Sequence, residues 1–209
     1  MSKGLLLIIS GFSGSGKGTI VKELLARSDD YVLSVSATTR APREGETDGR
    51  EYFFVTKEAF REMILKDQLI EYATYMDNYY GTPRSFVEEQ VSSGKHVILE
   101  IEAQGASKIK QLYPDSVQLF VTPPNADILF RRLAGRGTET EEVIAGRMRW
   151  SAGEADLISH YDYLIVNDGL EESVKLIGEI VRCESCKPSR QGDFISRIRN
   201  ELKNFKKGE

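Results

Sequence analysis

Gly11-Phe12-Ser13-Gly14-Ser15-Gly16-Lys17-Gly18-Thr19 follows the apolar run 5–9 and opens the segment 17–27, where Ile20, Val21, Leu24 and Leu25 recur at helical spacing. Glycines let a backbone wrap tightly, so consecutive N–H groups can point inward at phosphate oxygens, and the helix that follows adds partial positive charge at its N-terminus. Lys17 then stands where it can reach the outer phosphates of a nucleoside triphosphate. The strict pattern puts Ser or Thr directly after the lysine. Here Gly18 holds that place and Thr19 comes one later, so Mg2+ is expected to be held mainly by phosphates and water, near Thr19 and Glu100.

Working outward, the runs 31–35, 97–101, 117–121 and 163–166 resemble 5–9: each is short, β-rich and largely apolar without alternation, as strands buried on both faces of a parallel sheet are. Helical patterns lie between them, at 126–133 (Ile128, Leu129, Leu133) and 170–181 (Val174, Ile177, Val181). This alternation predicts an α/β fold, three-layered, with a central parallel sheet and right-handed crossovers. Two stretches break it. Residues 36–84 read as loop, short strand, helix and short strands, with 51–55 and 68–74 as edge strands and 56–65 as a helix capped by Thr56. Residues 135–159 read as a charged helical insert.

The expected organisation of the 209 residues is therefore a core of 4–35, 85–134 and 160–182, an insert at about 36–84, a lid at about 135–159 and a basic tail from 183 to 209, read as a surface helix. A net charge of -4 argues against broad binding to nucleic acid or an anionic membrane. No run is long enough to span a bilayer, and a cytoplasmic location is expected. Cys183 and Cys186 are read as two thiols near a helix end; half a zinc site shared with a partner chain and a redox pair are the alternatives. Nothing in the sequence sets an oligomeric state.

Arg40 and Arg43, three residues apart and stiffened by Pro42, leave the second core strand where open α/β sheets bind ligands. Two such guanidinium groups can clamp one phosphate with bidentate hydrogen bonds. They belong to an ordered set: Ser36-x-x-x-Arg40-x-x-Arg43-x-Gly45-Glu46, Gly49-Arg50-Glu51-Tyr52-Phe53-Phe54, Glu71-Tyr72-Ala73 and Asn78-Tyr79-Tyr80-Gly81-Thr82. Glu100-Ile101-Glu102-x-Gln104-Gly105, Arg132-Leu133-x-x-Arg136-Gly137-Thr138-Glu139-Thr140 and Ile165-Val166-Asn167-Asp168 complete it. With the glycine-rich loop, these segments closely resemble the guanylate kinase family over roughly residues 4–182.

The resemblance implies a P-loop nucleoside monophosphate kinase that moves the γ-phosphoryl group of ATP to GMP, and dGMP is a further acceptor to consider. It implies that Gly11 to Thr19 bind ATP together with Arg132, Arg136, Asn167 and Asp168. GMP would meet Ser36, Arg40, Arg43, Tyr52, Glu71, Tyr80, Gly81, Thr82 and Glu102. Lys17, Arg40, Arg43, Arg136 and Arg147 would share the charge of the moving phosphoryl group. Glu71 suits guanine chemically, because a carboxylate accepts from N1–H and N2–H2 together, whereas adenine turns an acceptor toward it. A related binding module without catalysis and a kinase for AMP or UMP are the competing readings, disfavoured by the intact loop and by Glu71 with Ser36 and Thr82.

Overall fold

The computed structural model describes residues 3–75, 77–135 and 140–206. The chain enters as β1 (Leu6–Gly11), α1 (Lys17–Arg27) and β2 (Tyr31–Leu33). It continues through β3 (Ser36–Thr38), β4 (Tyr52–Phe54), α2 (Lys57–Leu65), β5 (Leu69–Tyr75) and β6 (Asn78–Pro83). Then come α3 (Arg84–Ser92), β7 (His96–Glu100), α4 (Ala103–Leu112), β8 (Val117–Thr122), α5 (Ala126–Ala134) and α6 (Glu141–Ala155). β9 (Tyr163–Val166), α7 (Leu170–Ser185) and α8 (Gly192–Lys206) complete it.

Five strands form one parallel sheet in the order β2-β7-β1-β8-β9, with Ile8 opposite Leu99 on one side and Gln118 on the other. Odd and even residues of β1 point to opposite faces, and both faces are dry. Leu5, Leu7 and Ile9 meet Ile20, Val21 and Leu24 of α1 and Val174 and Ile177 of α7. Leu6 and Ile8 meet Val87 of α3 and Ala106 and Ile109 of α4. This is the three-layer arrangement expected from apolar runs that do not alternate. The edge strands β2 and β9 are less buried than the central ones. β2 ends at Leu33, two residues short of the apolar run.

The second sheet has four strands in the order β4-β3-β6-β5, so the two strands expected at edges are its edges. Residues 36–38, read as loop, are instead strand β3, paired parallel with β4 and antiparallel with β6. Its core is small: Ala37, Phe60 and Leu69 are buried, with Phe53, Val55, Met63, Ile64 and Tyr79 packed on them. Phe60 stacks on Tyr79 at 5.3 Å between ring centroids. Thr56 caps α2 through its side chain, accepting from the Ala59 N–H at 3.1 Å.

α7 runs four residues beyond the apolar pattern, because its last turn is pinned by a buried carboxylate. Glu184, 3% exposed, accepts from Tyr163 Oη at 2.6 Å, Lys187 Nζ at 2.6 Å and Arg190 Nη2 at 3.1 Å. Burial alone would raise its pKa, but these donors hold it below the usual carboxylate range. The Tyr163 hydroxyl is pushed up to about 12, chiefly by its bond to Glu184. Cys183 and Cys186 are exposed free thiols in the last turn and C-cap of α7. Among the described residues no helix is long and apolar enough to cross a membrane.

Because the four-stranded sheet has so small a core, Phe60→Ala should remove about 3–5 kcal/mol of its packing. Hydrogen exchange should then show lost protection confined to residues 36–83; uniform loss along the chain would contradict the independence of the two cores.

Candidate active site

The glycine-rich loop leaves β1 at the centre of the parallel sheet and enters α1. Phe12 anchors it, packing edge-on against Phe120 at 5.0 Å. Gly16 has φ +94°, and a Cβ there would lie 2.4 Å from Asn167 Nδ2, so only glycine lets the loop sit this close to its support. That support is polar. The Ser15 carbonyl accepts from Asn167 Nδ2 at 2.8 Å and Arg132 Nη1 at 3.1 Å, while Arg132 Nη2 donates to the Asn167 carbonyl at 2.9 Å. Ser173 Oγ donates to Asn167 Oδ1 at 3.2 Å. Lys17 folds over the loop and donates to the carbonyls of Gly11 at 2.6 Å and Phe12 at 3.1 Å.

Beside the lysine opens a cleft of about 350 Å3 lined by Lys17, Ser36, Tyr52, Thr82, Glu100 and Glu102, among others. Four of the residues expected at the acceptor thus meet in one space, within reach of the loop. Glu71 stands half-buried behind Thr82, whose Oγ1 donates to it at 2.8 Å. Burial pushes the Glu71 carboxyl above the usual range, opposed by the Thr82 bond and the charge of Lys108. The Arg40 guanidinium lies over the Tyr52 ring at 5.3 Å and over the Phe54 ring at 5.9 Å. Its strongest tie is to Glu46, bidentate at 3.0 and 2.8 Å, and the same carboxylate accepts from the Arg43 backbone N–H at 2.7 Å.

Other expected residues stand further out. The Arg43 side chain is exposed, as is Asp168. Gly81 is buried between β3 and β5, with no room for a side chain beside Phe60 and the Glu71 carbonyl. Arg147 is half-buried on α6, while Arg136 lies outside the described residues. Of the two acids at the end of β7, Glu100 faces the loop: a Cβ on Gly18 would lie 3.8 Å from its Oε1. Although Glu100 reaches solvent, partial desolvation raises its pKa and the nearby Lys17 opposes this. Among the described residues no group of three or more His, Cys, Asp or Glu could hold a metal ion. A single carboxylate with the Thr19 hydroxyl in the first turn of α1 suits a hard cation carried largely by phosphate oxygens.

Two acids were missed as site residues. Glu46 had a local signal, since it follows Arg40 and Arg43 in the same loop. Glu154 had none: it is 7% exposed on α6 and is brought to the site only by folding.

A nucleotide-sized cleft beside a glycine-rich loop, on a parallel α/β sheet, defines a P-loop phosphotransferase. A model of the guanylate kinase family matches residues 3–184, and the chain belongs to that family. It is 49% identical to a guanylate kinase of Clostridioides difficile over 97% of this chain and 99% of that protein. It is 44% identical to one from Caldanaerobacter subterraneus over 95% and 97%. The crystal structure of guanylate kinase from Anaplasma phagocytophilum superposes with a TM-score of 0.69 at 35% identity, covering 90% of each chain.

Glu46→Gln should loosen Arg40 and the backbone of Arg43 together. Monophosphate binding should weaken by about tenfold, the worth of a charge-assisted hydrogen bond, with ATP binding unchanged. Equilibrium titration of each nucleotide checks this, and equal weakening of both would contradict it.

Proposed function

We propose that this chain transfers the γ-phosphoryl group of ATP to GMP, giving ADP and GDP. The observation that carries this reading is the cleft itself: a donor lysine, Lys17, and the guanine-matching groups Ser36, Thr82 and Glu102 line one space, with Glu71 bonded behind Thr82. In this reading residues 36–84 bind GMP, residues 135–159 close as a lid, and the remainder to about 182 carries ATP.

Each step is assigned to a named group. Lys17 leaves the carbonyls of Gly11 and Phe12 for the β- and γ-phosphates of ATP, whose oxygens also take the inward N–H groups of residues 11–19. Arg132 and Asn167 hold that loop still and stand on the adenine side with Asp168. Arg40, Arg43, Tyr52 and Tyr80 bind the GMP phosphate, and Glu46 keeps Arg40 aimed. Glu71 and Glu102 accept the guanine N1–H and N2–H2 donors. Arg136 and Arg147 spread charge over the moving group on closure and exclude water, which would otherwise accept the phosphoryl group. Mg2+, held by phosphates and water near Glu100 and Thr19, would neutralise charge on the β- and γ-oxygens. An acceptor phosphate already ionised near neutral pH needs no general base. A cytoplasmic location accords with soluble nucleotide substrates.

Assay of ADP formation with a panel of nucleoside monophosphates tests the reading: turnover is expected with GMP and not with AMP, and equal rates for both would sink it. A second test uses pH. In the free protein the Glu71 pKa is raised by burial, whereas two guanine donors favour its ionised form. GMP affinity should therefore fall as pH drops through that raised pKa, and binding at mildly acidic pH should release protons. Calorimetry in buffers of different ionisation enthalpy measures the release; proton uptake would contradict the role of Glu71.

A further inference from the structure

Thr38 ends β3 in the interior of the four-stranded sheet and is 0% exposed. It stands opposite Phe54 of β4 on one side and Tyr80 of β6 on the other, as Ser36 stands opposite Tyr52. Cross-strand partners share a face, so Thr38 lies on the same face as Ser36, Tyr52, Phe54 and Tyr80. Ala37 and Phe53 turn the other way, into the small core with Phe60. The proposed reaction gives Thr38 no task, because it is covered too completely to touch a substrate.

A buried hydroxyl must find partners, and this one finds two. Thr38 Oγ1 donates to the Tyr79 carbonyl at 3.0 Å and accepts from the Arg40 backbone N–H at 3.2 Å. The second bond, from the N–H two residues on, makes a turn at the point where the strand ladder stops. The two partners differ in what else holds them. The Tyr79 carbonyl also accepts from the Thr39 N–H at 3.1 Å. Among the described residues, Thr38 is the one acceptor of the Arg40 N–H.

Arg40 is fixed at its tip by Glu46 and by the rings of Tyr52 and Phe54. So long a side chain is aimed only when its root is fixed too, since a small turn of the backbone swings the guanidinium far. Packing alone does not call for a hydroxyl at position 38, because valine has nearly the shape of threonine.

We propose that Thr38 is a positioning residue for the acceptor phosphate: its buried hydroxyl fixes the root of Arg40 against β6, so that the guanidinium meets the phosphate beside Tyr80. The inference rests on the proposed GMP reading. One hydroxyl then ties the arginine loop to the strand that carries Tyr80, and these are the two parts that must close on a single phosphate.

The test compares steady-state constants of the whole protein and its variants. Thr38→Val keeps the branched shape and removes the hydroxyl, whereas Thr38→Ser keeps the hydroxyl and removes the methyl. Activity should follow the hydroxyl. Thr38→Val is expected to raise the KM for GMP about tenfold, as leaving a partly buried N–H without its acceptor would, and to leave the KM for ATP within about twofold. Thr38→Ser should keep a KM for GMP near that of the wild type, even where thermal unfolding shows it to be the less stable of the two. Adding Thr38→Val to Arg40→Ala should raise the KM for GMP no further, because the first acts through the second. Additive effects, an equal rise in both KM values, or Ser as defective as Val would make Thr38 a packing residue and overturn the inference. So would an unchanged KM for GMP in Thr38→Val while Arg40→Ala raises it. A wild-type chain inert on GMP, or a silent Arg40→Ala, overturns the acceptor reading instead and the inference with it. Should Thr38→Val not fold, the Ser variant and hydrogen exchange at the Arg40 amide decide: slow exchange in wild type and Ser variant is expected, and fast exchange contradicts the bond.

Discussion

The carbonyl of Ser15 is the point on which the catalytic face depends. It accepts from Asn167 at the end of β9 and from Arg132 on α5, and so ties the glycine-rich loop to the two elements beyond its own strand and helix. A loop of inward N–H groups repels itself unless an anion or a rigid support holds it. Here the support is built before any phosphate arrives, and Gly16 permits the approach. Lys17 lines the cleft where the central sheet presents the ends of β1 and β7.

The acceptor groups hang on a different scaffold. The four-stranded sheet is joined to the body through β2 and α3 and by contacts such as Ile70 in the core beneath α4 and Phe53 against Phe86 at 6.2 Å. Its own buried residues are few. A large sheet buried on both faces resists deformation, while a small one with one aromatic stack can follow a ligand at modest cost. The two sheets thus differ chiefly in how many apolar side chains each can bury.

This difference also governs what the sequence reveals. β1, β7 and β8 are plain in the sequence because burial on both faces demands unbroken apolar runs. β3 and β6 are not, because Ser36 and Thr82 line the cleft and the buried Thr38 is polar, so neither strand reads as an apolar run. α4 is hidden because its buried face, Ala103, Ala106 and Ile109, carries only one large apolar side chain. The loop 11–19 is legible in full, since wrapping a phosphate is a local constraint on consecutive residues. Glu46 is legible only as a neighbour of two arginines, and Glu154 not at all, because Lys17 and Glu102, whose charges act on it, lie far from it in sequence. Residues that touch a ligand leave a mark in the sequence; residues that hold other residues leave theirs in the fold.

Lys17 bonded to the carbonyls of Gly11 and Phe12 has one more consequence. Its ammonium is satisfied by its own loop. Binding a triphosphate thus exchanges one set of good hydrogen bonds for another and does not begin from a naked charge. Affinity for the phosphates is a difference between two ordered states.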